Sequence, residues 1–199
     1  LVWDGSRSAI LARAGGLALL AWGISRDGRA SGARVAGALA VAGSFALTGH
    51  TAELPAVPRA LSVLHVLIAA FWFGSLAPLV LVTRHEHGGT PGEIAARFTA
   101  FATFTVPLIA VAGVALAYML GVRAATFERP YGLLLLGKFG GFGLLMLLAA
   151  LNKWRLGPRL ATDPAARAAF VRSVALEGVL IACVLLATAT LTTYFSPEL

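Results

Sequence analysis

Six apolar stretches separated by short polar breaks run along this 199-residue chain, at roughly 9–24, 32–49, 60–83, 98–121, 131–152 and 173–195. Most approach the ~20 residues that carry a helix across ~30 Å of hydrocarbon. Pro78 and Pro107 fall inside the third and fourth stretches; a bundle tolerates them because neighbouring helices re-satisfy the freed backbone groups. The first stretch is short and Arg13 interrupts it, so Arg7 and Arg13 are expected to snorkel toward the headgroups. The pattern predicts an all-α fold, a polytopic transmembrane helical bundle of about six spanning helices. The polar breaks at 27–32, 50–59, 84–97, 121–130 and 152–172 read as loops rather than domain linkers, so residues 1–199 form one transmembrane domain.

Composition agrees with this reading. The chain is 58% hydrophobic and 13% charged, with mean hydropathy +0.83, whereas a soluble domain carries about a quarter charged residues. The net charge of +7 raises nucleic acid as a partner, but the distribution argues against it. With connections on alternating sides, one side holds Arg26, Arg29, Arg34, Arg84, Arg97, Lys153, Arg155, Arg159, Arg167 and Arg172, ten in all; the other holds Arg7, Arg59, Arg123 and Arg129. Basic loops stay cytoplasmic, which places both ends of this chain outside. The partner implied is the lipid bilayer, its anionic headgroups above all, and no nucleic acid. Leu1-Val2-Trp3-Asp4 reads as the continuation of a longer membrane protein. The single Cys183 excludes an internal disulfide.

Candidate chemistry gathers in the outer leaflet, where topology collects His50, Glu53, His65, Met119, Glu128, Tyr131, Lys138 and Tyr194. An imidazole in a bilayer is costly and marks a task. His50 closes the second stretch and His65 lies about two turns into the third, so a short connection brings both to one leaflet. Imidazole suits copper, zinc, iron and nickel, and thioether selects Cu(I). His50 and His65 with Glu53 or Met119 would make a three-ligand copper site. In the alternative, His50 caps its helix and His65 hydrogen-bonds a backbone carbonyl. His85-Glu86-His87 could chelate a metal, but it sits among Arg84, Gly88 and Gly89 and reads as a solvated turn.

Three polar residues lie within apolar stretches: Lys138, Asn152 and Glu177. Such groups pair with one another or mark transport paths. Asn152 and Glu177 approach the same boundary and can hydrogen-bond. Lys138 and Glu177 differ by roughly 13 Å in depth, too far for a direct salt bridge. Gly137 and Gly141, and more weakly Ala33 and Gly37, have the small-xxx-small spacing that lets helices approach closely. Trp72, seven residues after His65, shares its face and could wall a metal or haem pocket, or pack in the core.

These residues carry a resemblance. Gly49-His50, His65 with Ala69-Ala70-Phe71-Trp72-Phe73-Gly74, Tyr131-Gly132 with Lys138, Asn152 and Pro158, and Ser173-Val174 with Glu177 together resemble the copper resistance protein D (CopD) family. The stretch from Gly5 to Arg13 is also similar to it. The resemblance implies a bacterial inner-membrane copper transporter, normally of eight helices, so that two helices would precede this chain. It implies copper moving from periplasm to cytoplasm beside a small periplasmic CopC-like copper-binding partner. His50 and His65 match the family's histidines and inherit a ligand role; Lys138, Asn152 and Glu177 match its polar positions. The chain has no GxxxxGK[ST] loop and no CPC, so movement would be passive or gradient-coupled. Two other classes stay open: a b-type haem electron carrier using histidines on neighbouring helices, and a non-transporting assembly or scaffold subunit. No nucleophile–base constellation suggests an enzyme.

Overall fold

The computed structural model describes residues 2–26, 30–47, 52–86 and 89–194. Among them the chain forms six α-helices: α1 (Val2–Ile24), α2 (Ser31–Ser44), α3 (Ala56–His85), α4 (Thr90–Met119), α5 (Pro130–Leu151) and α6 (Pro164–Tyr194). Each predicted apolar stretch is a helix, and the architecture is the all-α membrane bundle. The helices over Ala56–His85, Thr90–Met119, Pro130–Arg159 and Pro164–Leu191 are long and apolar enough to cross a bilayer. The apolar helix Ser31–Leu47, α2 with the 3₁₀ turn Phe45–Leu47, is shorter. At 1.5 Å per residue the 14 residues of α2 reach only about 21 Å.

The polar breaks are less loop-like than expected. α4 begins at Thr90 and α6 at Pro164, so much of 84–97 and 152–172 is helical. Hydropathy registers only the part of a helix that meets hydrocarbon, whereas backbone hydrogen bonding continues through the interface. The extensions are also packed: Ala95, Leu160 and Phe170 are buried. Local chemistry sets the helix starts. Pro130 and Pro164 occupy first-turn positions, where a missing N–H costs nothing. Asp163 Oδ1 accepts from the Ala165 N–H at 2.8 Å, the usual N-cap arrangement. Gly121, at φ +83°, turns the chain after α4 in a conformation that glycine adopts without strain.

The fold divides into two compact units, Leu1–Ala70 with Leu108–Met119, and Phe71–Pro107 with Leu120–Leu199. In the first, α1 and α2 touch backbone to backbone. A Cβ on Gly37 would lie 2.6 Å from the Gly16 carbonyl oxygen, and one on Gly16 would lie 2.9 Å from that of Gly37. Ala33-xxx-Gly37 therefore contributes through Gly37, with Gly16 as its counterpart. Arg13 is not left to snorkel. Its Nε donates to the buried Ser44 Oγ at 2.8 Å, and its guanidinium lies 4.6 Å from the Phe45 ring centroid.

The second unit holds a core of Trp72, Leu76, Leu79, Ala95, Leu145, Leu160, Phe170, Val174 and Ile181. Of the Gly137/Gly141 pair, only Gly141 makes a close contact: its Cβ would meet Val184 at 2.9 Å, while Gly137 faces open space. Past Leu151 the helix widens into a π turn, Asn152–Leu156, then tightens into a 3₁₀ turn, Gly157–Arg159. The Gly157 N–H donates to the Asn152 carbonyl, and a Cβ on Gly157 would lie 2.9 Å from that oxygen.

Candidate functional site

In the first unit, α3 carries His65, partly buried in its third turn. Its Nδ1 lies 3.2 Å from the Ile109 carbonyl oxygen of α4. A carbonyl only accepts, so Nδ1 carries the proton and the basic lone pair of the ring belongs to Nε2. Gly113, one turn beyond Ile109, makes room for the ring: a Cβ there would lie 3.2 Å from His65 Cε1 and 3.6 Å from Nδ1. The carbonyl contact weighed for His65 from sequence is therefore present. It is also the contact that a metal-ligating histidine commonly makes through its second ring nitrogen. Nothing in the run around Gly113 distinguishes it as a seat for an imidazole, and the sequence reading missed it.

The other expected ligands are placed less closely. Met119 ends α4 and is 47% exposed, and Glu53 is exposed ahead of α3. His50 lies outside the described residues, as does His87 of the His85-Glu86-His87 turn. Among the described residues no three His, Cys, Asp or Glu side chains gather into a metal-holding group.

A second polar cluster sits in the core of the second unit. Glu177 is 3% exposed, and the Asn152 amide donates to its Oε1 at 2.7 Å. The Trp72 side chain, whose only donor is the indole N–H, hydrogen-bonds the same carboxyl. Trp72 is itself buried and packs edge-on against Phe142, ring centroids 6.4 Å apart. Asn152 and Glu177 thus pair as their common boundary suggested, and Trp72 belongs to the core. The π turn starts at Asn152, and such turns recur at functional positions. Asn152 Oδ1 is buried and accepts no hydrogen bond among the described residues; nor does the Ser173 hydroxyl, one turn before Glu177. Asn152 also lines a groove of about 650 Å³ with Thr99, Thr103 and Lys153, where Lys153 Nζ donates to Thr103 Oγ1 at 3.0 Å. Lys138 is partly buried in the third turn of α5, between Gly137 and the exposed Phe139.

Chemically, the first unit offers an oriented imidazole and the second a buried carboxyl held by two neutral donors. Compared with known families, the chain matches copper resistance protein D over residues 92–191. The match takes in Met119, Lys138, Asn152 and Glu177, while His50, His65 and Trp72 precede it. No curated protein and no solved structure matches the chain. The matched segment is half of the chain and includes most of α4, all of α5 and most of α6 with its buried Asn152–Glu177 pair; the protein belongs to the copper resistance protein D family.

Proposed function

We propose that this protein handles copper in the bacterial plasma membrane, taking the ion from the extracytoplasmic side through a site that contains His65 and His50. The observation that carries the reading is the His65 contact. With Nδ1 on the Ile109 carbonyl, Nε2 is the ring nitrogen that would serve as the metal donor. Membership of a copper resistance family supplies the identity of the cargo. Glu53 or Met119 is the proposed third donor, each from the same unit as His65. Thioether would favour Cu(I) and carboxylate a harder ion. The basic side of the chain faces the cytoplasm, so both ends of this chain lie outside. Copper then reaches His65 from the periplasmic face, delivered there by a CopC-like carrier.

The residues have separate tasks. Gly113 and Ile109 hold the imidazole at one tautomer and one position. The Trp72–Glu177–Asn152 cluster supplies the polar surface on the inward route. Titrating the purified full chain with Cu(I) and Cu(II) tests the proposal, using wild type and the His50→Ala/His65→Ala double variant. Loss of a second-sphere partner alone typically costs 10–100-fold in affinity, so removing both ligands should weaken binding by at least that factor and lower cellular copper accumulation. A double variant that binds and accumulates copper like the wild type would overturn the reading.

A further inference from the structure

The basic residues of α3 and α6 make a site that copper does not explain. A groove of about 560 Å³ is lined by Thr83 and Arg84 at the end of α3 and by Pro164, Arg167, Ala168, Val171 and Arg172 of α6. Three arginines line it, and no carboxylate does. Asp163, next to Pro164 in sequence, has its Oδ1 engaged as the helix cap on Ala165. Arg167 is the most committed of the three. Its Nε donates to the Leu160 carbonyl at 2.9 Å, which fixes the guanidinium, while its Nη2 is buried with no hydrogen-bond partner among the described residues. A buried donor without an acceptor is costly, and three like charges around one groove repel. An anion in the groove relieves that repulsion. The start of α6 adds the positive end of a helix dipole beside it.

We infer that this groove binds a phosphate-type anion, either the phosphodiester of an anionic phospholipid or free phosphate, through Arg84, Arg167 and Arg172. The planar guanidinium matches phosphate oxygens two at a time, and basic pockets between transmembrane helices hold anionic headgroups elsewhere. Arg84 and Arg172 are exposed and close on the anion from outside; Arg167, held by the Leu160 carbonyl, adds its charge to the wall.

The test is thermal unfolding of the purified full chain in a zwitterionic detergent. It is titrated in parallel with short-chain phosphatidylglycerol, short-chain phosphatidylcholine and inorganic phosphate. Phosphatidylglycerol should raise the midpoint saturably and phosphatidylcholine should not. In Arg84→Gln/Arg172→Gln the apparent affinity should fall at least tenfold, since each guanidinium removed takes charge-assisted hydrogen bonds to the anion with it. Those two residues are exposed, so the variant keeps its fold. Arg167→Gln should abolish the shift if it folds. A shift with inorganic phosphate that the variants remove identifies the free anion as the ligand. A wild type that responds to neither phosphatidylglycerol nor phosphate overturns the inference. So does a response that phosphatidylcholine reproduces, or one that Arg84→Gln/Arg172→Gln leaves intact.

Discussion

Single side chains decide both polar centres. At Gly113 an alanine methyl would sit 3.2 Å from His65 Cε1, close enough to displace the ring by a few tenths of an ångström. Alanine also favours the helix by about 1 kcal/mol over glycine. Gly113→Ala should therefore leave thermal stability equal or higher while weakening copper binding severalfold. Stability and metal titrations on one sample separate the two effects, and unchanged affinity would show that the position of the imidazole does not matter. At Glu177, alanine strands the Asn152 amide and the Trp72 indole in the core, at about 1–3 kcal/mol. Glu177→Gln keeps an acceptor for both. Denaturant titration in detergent should rank the wild type and the glutamine variant well above the alanine variant. The Asn152–Glu177 bond was legible in the sequence, because two polar residues at one membrane boundary have few other partners. Gly113 was not legible: the space for an imidazole comes from the crossing of two helices, which hydropathy does not encode.

At the level of whole helices, hydropathy locates the segments and misjudges their ends. It finds what hydrocarbon must cover, so it starts α4 and α6 near 98 and 173, although they begin at Thr90 and Pro164. The missed turns are amphipathic, with Ala95, Ala166 and Phe170 buried beneath exposed or partly exposed Arg97, Arg167 and Arg172. Small-residue spacing was informative in one place and not in another. Gly37 does meet the neighbouring backbone, while Gly137 meets nothing, because the motif shows where close approach is permitted but not which face is used. Gly37→Ala would put a methyl 2.6 Å from the Gly16 carbonyl oxygen. Backbone cannot yield as a side chain can, so overpacking should cost about 1–3 kcal/mol. Gly43→Ala, with open space around it, is the matched control; equal loss of stability in both would remove the packing explanation.

For the molecule as a whole, the charge asymmetry makes a topological claim that labelling can check. In a Cys183→Ser background, a cysteine at Thr162 should react with a membrane-impermeant maleimide only after the cells are opened. One at Ala125 should react in intact spheroplasts. The reverse pattern would invert the proposed direction of copper movement. The Arg13–Ser44–Phe45 contact bears on how the protein is assembled. An arginine near the middle of a helix costs about 2.5–3.5 kcal/mol on insertion. The groups that receive this one, the Ser44 hydroxyl and the Phe45 ring, are translated some thirty residues later. The first helix thus becomes a comfortable resident of the bilayer only once the second has been made. The two should leave the translocation machinery together as a hairpin, and in a nascent chain stalled before Ser44 emerges α1 should still crosslink to the translocon rather than to lipid.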